Sequence, residues 1–167
     1  GLDYLALGDS YTSGEGDLKN GYVDGTGGDN GCHLSAYSYP YLLREDWGVS
    51  EGKMASVACS GAKINPDYVV GMKGYLGQND YLLDFYASEY EGKRSEAIAE
   101  FTPGIVPQLE FVKKYKPLAV TLTGGGNDAG FADVIRYCAS PQIGQSNTCS
   151  YAGGGKSLDS LRASIYN

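Results

Sequence analysis

A serine stands at the end of a short apolar run near the start of the chain, where Tyr4-Leu5-Ala6-Leu7 leads into Gly8-Asp9-Ser10. The run reads as a strand, and the segment that follows, Tyr11-Thr12-Ser13-Gly14-Glu15-Gly16, is rich in small residues. Gly8 allows a sharp backbone turn, and the Asp9 carboxyl can accept from nearby amides to fix it. A hydroxyl presented in this way can act as a nucleophile if a base takes its proton. A polar strand-to-loop junction with no chemistry would use the same three residues.

Two further segments have the same layout. Ala58-Cys59-Ser60-Gly61-Ala62 follows the apolar run that starts at Met54, and Thr123-Gly124-Gly125-Gly126-Asn127-Asp128 follows Leu118-Ala119-Val120-Thr121-Leu122. Each places small residues just beyond a strand, at the sheet edge where α/β proteins bind ligands. In order and spacing, about fifty and then about sixty-five residues apart, the three blocks resemble those of the GDSL (SGNH) hydrolases. That family comprises serine esterases and lipases with a flavodoxin-like fold. The resemblance runs from Tyr4 to about Cys149.

The resemblance implies that Ser10 is the nucleophile. The oxyanion donors would be the Ser10 N–H, the Gly61 N–H and the side-chain amide of Asn127. The chemistry is sound on its own terms, because fixed donors stabilise the charge that develops in a tetrahedral intermediate. Gly61 has no side chain to obstruct a carbonyl oxygen approaching its amide. Asn127 offers neutral donors that do not compete as a base. The plainer readings are a tight turn at Gly61 and a helix N-cap at Asn127-Asp128, with Asp128 a structural residue.

The family's general base is a histidine in a last Asp-x-x-His block, and no such block is present. The one histidine, His33, lies far upstream in Asp29-Asn30-Gly31-Cys32-His33-Leu34-Ser35 and reads as a solvated loop residue. The expectation is therefore a single SGNH domain over residues 1–167, incomplete at its C-terminus, with the base downstream and some tendency to associate with the missing segment. The competing expectations are a base supplied by another chain, or a catalytically inactive SGNH-like module that binds carbohydrate or lipid. Acyl specificity is not encoded here, and the substrate could be a small-molecule, lipid or acylated-sugar ester.

A net charge of −7 and a pI near 4.6 argue against nucleic acid, whose phosphates need a basic surface. They also argue against anchoring on anionic lipid. No apolar run approaches the length of a membrane span. The four cysteines, Cys32, Cys59, Cys138 and Cys149, form no Cys-x-x-Cys pair, so a zinc site is not expected; no other metal and no cofactor is expected either. They allow three disulfide pairings, or four free thiols in a cytosolic protein. The secreted branch of the resembled family implies Cys32–Cys59, which leaves Cys138–Cys149 and an extracellular location. Asp17, Asp24 and Asp29 lie in a glycine- and asparagine-rich loop that does not match the EF-hand pattern and reads as mobile and polar. Fifteen tyrosines, several between residues 66 and 90, would line a cleft or pack in the core.

These residues need a scaffold. Strands are expected at Tyr4–Leu7, Lys53–Ala58 and Leu118–Thr123, with a long loop from Ser10 to Leu34. A helix is expected from Ser38 to Trp47, with Pro40 in its first turn. Asp80 to Phe101 reads as helical segments interrupted near Gly92. A further helix is expected to start with Thr102 as N-cap and Pro103 in its first turn, with Ile105, Leu109 and Val112 on one face. A terminal helix would carry Leu158, Leu161 and Ile165. Alternation of strands and helices implies parallel pairing through right-handed crossovers, hence a three-layer α/β sandwich.

Overall fold

A computed structural model describes residues 1–17, 21–27, 31–64, 87–131, 151–152 and 156–157. The chain divides into two compact units, Gly1–Gly124 and Gly125–Asn167.

The first unit is built on three parallel strands: β1 (Tyr4–Leu7), β2 (Met54–Ser56) and β3 (Ala119–Leu122), in the order β2-β1-β3. Tyr4 stands opposite Met54 on one side and Ala119 on the other. With β1 in the centre, the chain turns one way to reach β2 and the other way to reach β3. The two crossovers therefore lie on opposite faces of the sheet. The first carries α1 (Ser10–Ser13) and α2 (Tyr39–Asp46), and the second carries α3 (Ala87–Glu100) and α4 (Gln108–Tyr115).

Side chains alternate along each strand, so the two faces of β1 bury different sets. Leu5 and Leu7 join Leu2, Val57, Val106 and Phe111 in one core, against which Ile98, Leu109 and Val112 pack. Tyr4, Ala6 and Met54 form the core on the other face, with Tyr41, Leu43 and Val49 against it. The Trp47 ring meets Tyr4 edge-on, with centroids 5.2 Å apart. A sheet buried on both faces needs apolar residues at consecutive positions, and β1 supplies them, with all four residues buried. The result is the expected three-layer α/β arrangement.

Several elements differ from the sequence reading. The loop after Ser10 begins with a helical turn, α1, capped by Asp9 and closed by Gly14 in the left-handed region (φ 83°). Helix α3 runs through Gly92 without a break. A mid-helix glycine costs about 1 kcal/mol against alanine, which the burial of Ala97 and the packing of Ile98 against the core oppose. The next helix starts not at Thr102 but at Gln108, with Pro107 as its N-cap. Gly104 is left-handed (φ 83°), and the residue before a proline is held out of the helical region, so Thr102 to Val106 cannot form its first turns. Helix α4 ends at Lys116, itself left-handed, after Lys113 and Lys114 at the negative end of the dipole.

In the second unit, residues 125–131 form a short helical turn, with Ala129 N–H donating to Gly125 O and Phe131 N–H to Gly126 O. Strands β4 (Tyr151–Ala152) and β5 (Lys156–Ser157) pair antiparallel. The expected terminal helix, the Cys138–Cys149 pairing, Asp29 and most of the tyrosine-rich stretch lie outside the described residues. Among the described residues, no helix is long and apolar enough to cross a membrane.

Candidate functional site

In a doubly wound sheet, ligands bind where the chain reverses its direction of travel, beyond the C-terminal ends of the strands. Here that place is the mouth of β1 between its two neighbours, and Gly8-Asp9-Ser10 occupies it. Asp9 is buried, and its Oδ1 accepts from Tyr11 N–H at 3.1 Å. Its carbonyl accepts from Thr12 and Ser13 N–H. The Asp9 side chain thus fixes the turn, as the sequence leads one to expect. Ser10 becomes the first helical residue, half-buried, with exposed Tyr11 beside it.

Gly8 is required by geometry. Its φ is 145°, and a Cβ built on it would lie 2.5 Å from both Thr12 Oγ1 and Thr123 Oγ1. Those two hydroxyls are 2.7 Å apart. Thr123 Oγ1 donates its one proton to Asp9 Oδ1 at 2.8 Å, so Thr12 must be the donor to Thr123. Tyr39 OH, 3.2 Å from Thr12 Oγ1, donates to Thr121 Oγ1 at 3.3 Å, and Thr121 Oγ1 lies 2.7 Å from Tyr4 OH. Burial raises the Tyr4 phenol above its ordinary pKa, which keeps it a neutral member of this chain.

The Gly61 turn stands next to the Ser10 turn, joined to it by two hydrogen bonds and to the Cys32 loop by a disulfide and a third hydrogen bond. Cys59 N–H donates to Gly8 O at 2.9 Å. Glu15, whose own N–H donates to Ser10 O, accepts a short hydrogen bond from the buried Ser60 hydroxyl. A disulfide links Cys59 to Cys32, with Cα atoms 4.1 Å apart, and Ser60 N–H donates to Cys32 O. The pairing is the one the family resemblance implies. Gly61 itself is left-handed (φ 80°). Among the described residues, neither the Ser10 N–H nor the Gly61 N–H is given to a protein acceptor.

His33 is not the solvated residue expected from sequence. Its ring stacks on Tyr22 with centroids 4.7 Å apart, and its φ of 54° is left-handed. Nδ1 is buried 3.3 Å from Glu15 Oε1, at ion-pair distance but without hydrogen-bond alignment. Glu15 therefore lies between His33 and Ser60, a contact between distant parts of the chain that no sequence motif announces. Asp17, part of the loop expected to be mobile, accepts from Ser35 Oγ at 2.7 Å, and Val23 N–H donates to Leu34 O. Among the described residues, no group of three His, Cys, Asp or Glu side chains is placed to hold a metal ion.

Asn127 and Asp128 lie in the second unit, in the turn that follows Gly125; Gly130 N–H donates to Asn127 O. The site residue that the sequence did not reveal is Gln108. Its carboxamide is fully buried and bonds the backbone of Gly8 at both atoms. Reading residues 103–112 as one helix from Thr102 hides it as a mid-helix glutamine. Pro107-Gln108 as a helix start is the signal that would have set it apart.

No protein-family profile matches the chain. It is 28% identical over 99% of its length to Lipase 2 of Streptomyces coelicolor, and 29% identical over 81% to Lipase 1 of the same organism. The matched regions cover 44% and 34% of those relatives, so the chain spans less than half the length of either. Among solved structures, an extracellular lipase from Streptomyces rimosus superimposes with a TM-score of 0.46 at 25% identity, covering 99% of this chain and 46% of the other. A phospholipase A1 from Streptomyces albidoflavus NA297 gives 0.40 at 25% identity, covering 97% and 52%. The curated lipases fit the GDSL (SGNH) resemblance of the three sequence blocks.

Proposed function

We propose that the protein is a secreted serine ester hydrolase of the GDSL (SGNH) type, with lipid or other acyl esters as substrates. The observation that carries the reading is the pairing of the Ser10 and Gly61 turns at the mouth of β1, each with an amide uncommitted among the described residues. Ser10 Oγ attacks the ester carbonyl while a base takes its proton. The carbonyl oxygen becomes an oxyanion held by the Ser10 and Gly61 amides, and the family resemblance assigns the third donor to the Asn127 side chain. Collapse of the intermediate expels the alcohol, which takes the proton back, and leaves an acyl-Ser10 ester that water hydrolyses. Removing one oxyanion donor costs about 2.7–4 kcal/mol of transition-state stabilisation in a well-characterised serine hydrolase.

The base in this reading is a histidine outside residues 1–167, as the resembled Asp-x-x-His block implies. The similarity to lipases more than twice as long as the matched region is consistent with it. Secretion is supported by the Cys32–Cys59 bridge, since disulfides persist outside the reducing cytosol. The test is a fluorophosphonate probe on the protein with its natural flanking residues. A covalent adduct at Ser10, lost in Ser10→Ala, is the expected result; a folded protein that never reacts there refutes the reading.

One observation favours the second reading, an inactive module that binds lipid or carbohydrate. Among the described residues no side chain hydrogen-bonds the Ser10 hydroxyl, and the His33 Nδ1 faces Glu15. A protein that binds esters without an adduct at Ser10 would establish it.

A further inference from the structure

Gly8 sits one residue beyond the point where β1 stops pairing with β3, at Leu7 opposite Leu122. Its peptide groups are nonetheless satisfied, and by a side chain a hundred residues away. Gly8 N–H donates to Gln108 Oε1 at 2.7 Å, and Gln108 Nε2 donates to Gly8 O at 2.8 Å. A carboxamide is planar and carries one acceptor and two donors, so it can pair with a peptide as a neighbouring strand would. Gln108 thereby extends the sheet by one rung at the residue that turns the chain toward Ser10.

The Gly8 carbonyl has a second donor, Cys59 N–H, two residues before Gly61. A single oxygen is therefore the junction of the Ser10 turn, the Gly61 turn and the start of α4. That helix is immobilised by Phe111, fully buried in the core that contains Leu5, Leu7 and Val57. Few residues other than glutamine serve here. An apolar side chain would strand the Gly8 N–H in a buried place, and an ionised glutamate would offer acceptors to both groups, one of which is itself an acceptor.

We infer that Gln108 is a positioning residue: its buried carboxamide clamps Gly8 and so fixes the Ser10 amide and hydroxyl relative to the Gly61 amide. The consequence for catalysis rests on the serine hydrolase reading above, whereas the clamp itself does not.

The test uses the protein with its natural flanking residues, carrying Gln108→Met or Gln108→Glu. Backbone amide exchange is read at Gly8, Ser10 and Gly61, with Leu5 and Ala6 inside β1 as internal references, and fluorophosphonate labelling of Ser10 is followed beside it. In Gln108→Met, Gly8 exchange is expected to rise by about tenfold or more, while Leu5 and Ala6 keep wild-type protection and labelling slows by a similar factor. Gln108→Glu adds a readout that a merely structural role would not move. A protonated carboxyl has one donor and one acceptor, as the amide does. Its labelling rate relative to wild type at the same pH should approach unity in acid and fall as the carboxyl ionises; Asp9, present in both proteins, cancels in the ratio. Unchanged Gly8 exchange in Gln108→Met, or equal acceleration at every sheet amide, overturns the inference. If Gln108→Met fails to fold, a pH-independent Gln108→Glu ratio overturns it instead. A wild type that never labels at Ser10, with Gly8 still deprotected in Gln108→Met, refutes the hydrolase reading and upholds the clamp.

Discussion

Thr123, one residue past the end of β3, hydrogen-bonds the Asp9 that caps the Ser10 turn: its hydroxyl donates to Asp9 Oδ1 at 2.8 Å, and the Asp9 N–H approaches Thr123 Oγ1 at 3.4 Å. The residue that caps α1 is thus held by the strand beside it, with Thr12 as third partner. Thr123→Val keeps the shape and removes the hydroxyl. It leaves Asp9 Oδ1 with one donor fewer and Thr12 without its acceptor. A loss of about 1–3 kcal/mol in urea unfolding is expected, with Thr123→Ser close to wild type. A Thr123→Val protein as stable as wild type would show that this contact contributes nothing.

How much of this arrangement can be read in the sequence depends on the range of the contacts involved. Strands β1 and β3 and helix α2 are legible because their signals are local: short apolar runs, and a serine–tyrosine–proline helix start. The cap at Asp9 is also local, an Asx side chain bonding an amide two residues on. The start of α4 is misread because Thr102-Pro103 imitates a helix N-terminus, while the decisive restraint is Gly104 together with Pro107 downstream. Glu15 between His33 and Ser60, and Gln108 on Gly8, are contacts of long sequence separation. Each residue has a bland local reading, and only the sheet order brings it to the site.

The Cys32–Cys59 bridge closes a loop of 27 residues. In the chain-entropy account, a loop of this size contributes roughly 3–4 kcal/mol by constraining the unfolded chain. Replacing both cysteines with serine is expected to lower stability by about that amount, read as a drop in Tm under non-reducing conditions. The bridge also holds Cys59, which donates to Gly8 O, so fluorophosphonate labelling of Ser10 should slow even at temperatures where the variant is fully folded.

Glu110 joins α4 to α3. Its Oε2 accepts from Arg94 at 2.9 Å and its Oε1 from Lys113 at 3.2 Å. The Lys113 hydrogen bond, with the nearby charges of Lys113 and Arg94, holds its carboxyl below the usual value near 4.5, and partial burial only partly opposes this. A carboxyl whose pKa is lowered on folding contributes stability that is complete above its unfolded value and disappears as pH falls through the folded one. Glu110→Gln should therefore destabilise the protein at neutral pH by a modest amount, about 0.2–1 kcal/mol for a solvent-facing pair. The difference from wild type should shrink toward zero below the ordinary carboxylate range. Chemical denaturation of both proteins across that range measures it, and a difference that grows in acid would reverse the assignment.

Strand β3 carries an apolar row that the first unit leaves open. Val120 and Leu122 stand opposite Leu5 and Leu7 in register, so they lie on the sheet face that α3 and α4 cover over β1. Yet they remain 43% and 52% exposed, and Leu118 is 84% exposed. Among the described residues β3 pairs only with β1, so its outer edge also presents unpaired backbone groups. A strand edge with adjoining apolar surface is a template for association. Residues 1–167 are expected to self-associate reversibly, with a sedimentation coefficient that rises with concentration. Leu122→Lys places a charge on the row and should shift the protein toward monomer without loss of the fold, because the side chain is already half in solvent. A monomer at high concentration in wild type, or equal association in Leu122→Lys, would exclude this surface as the cause.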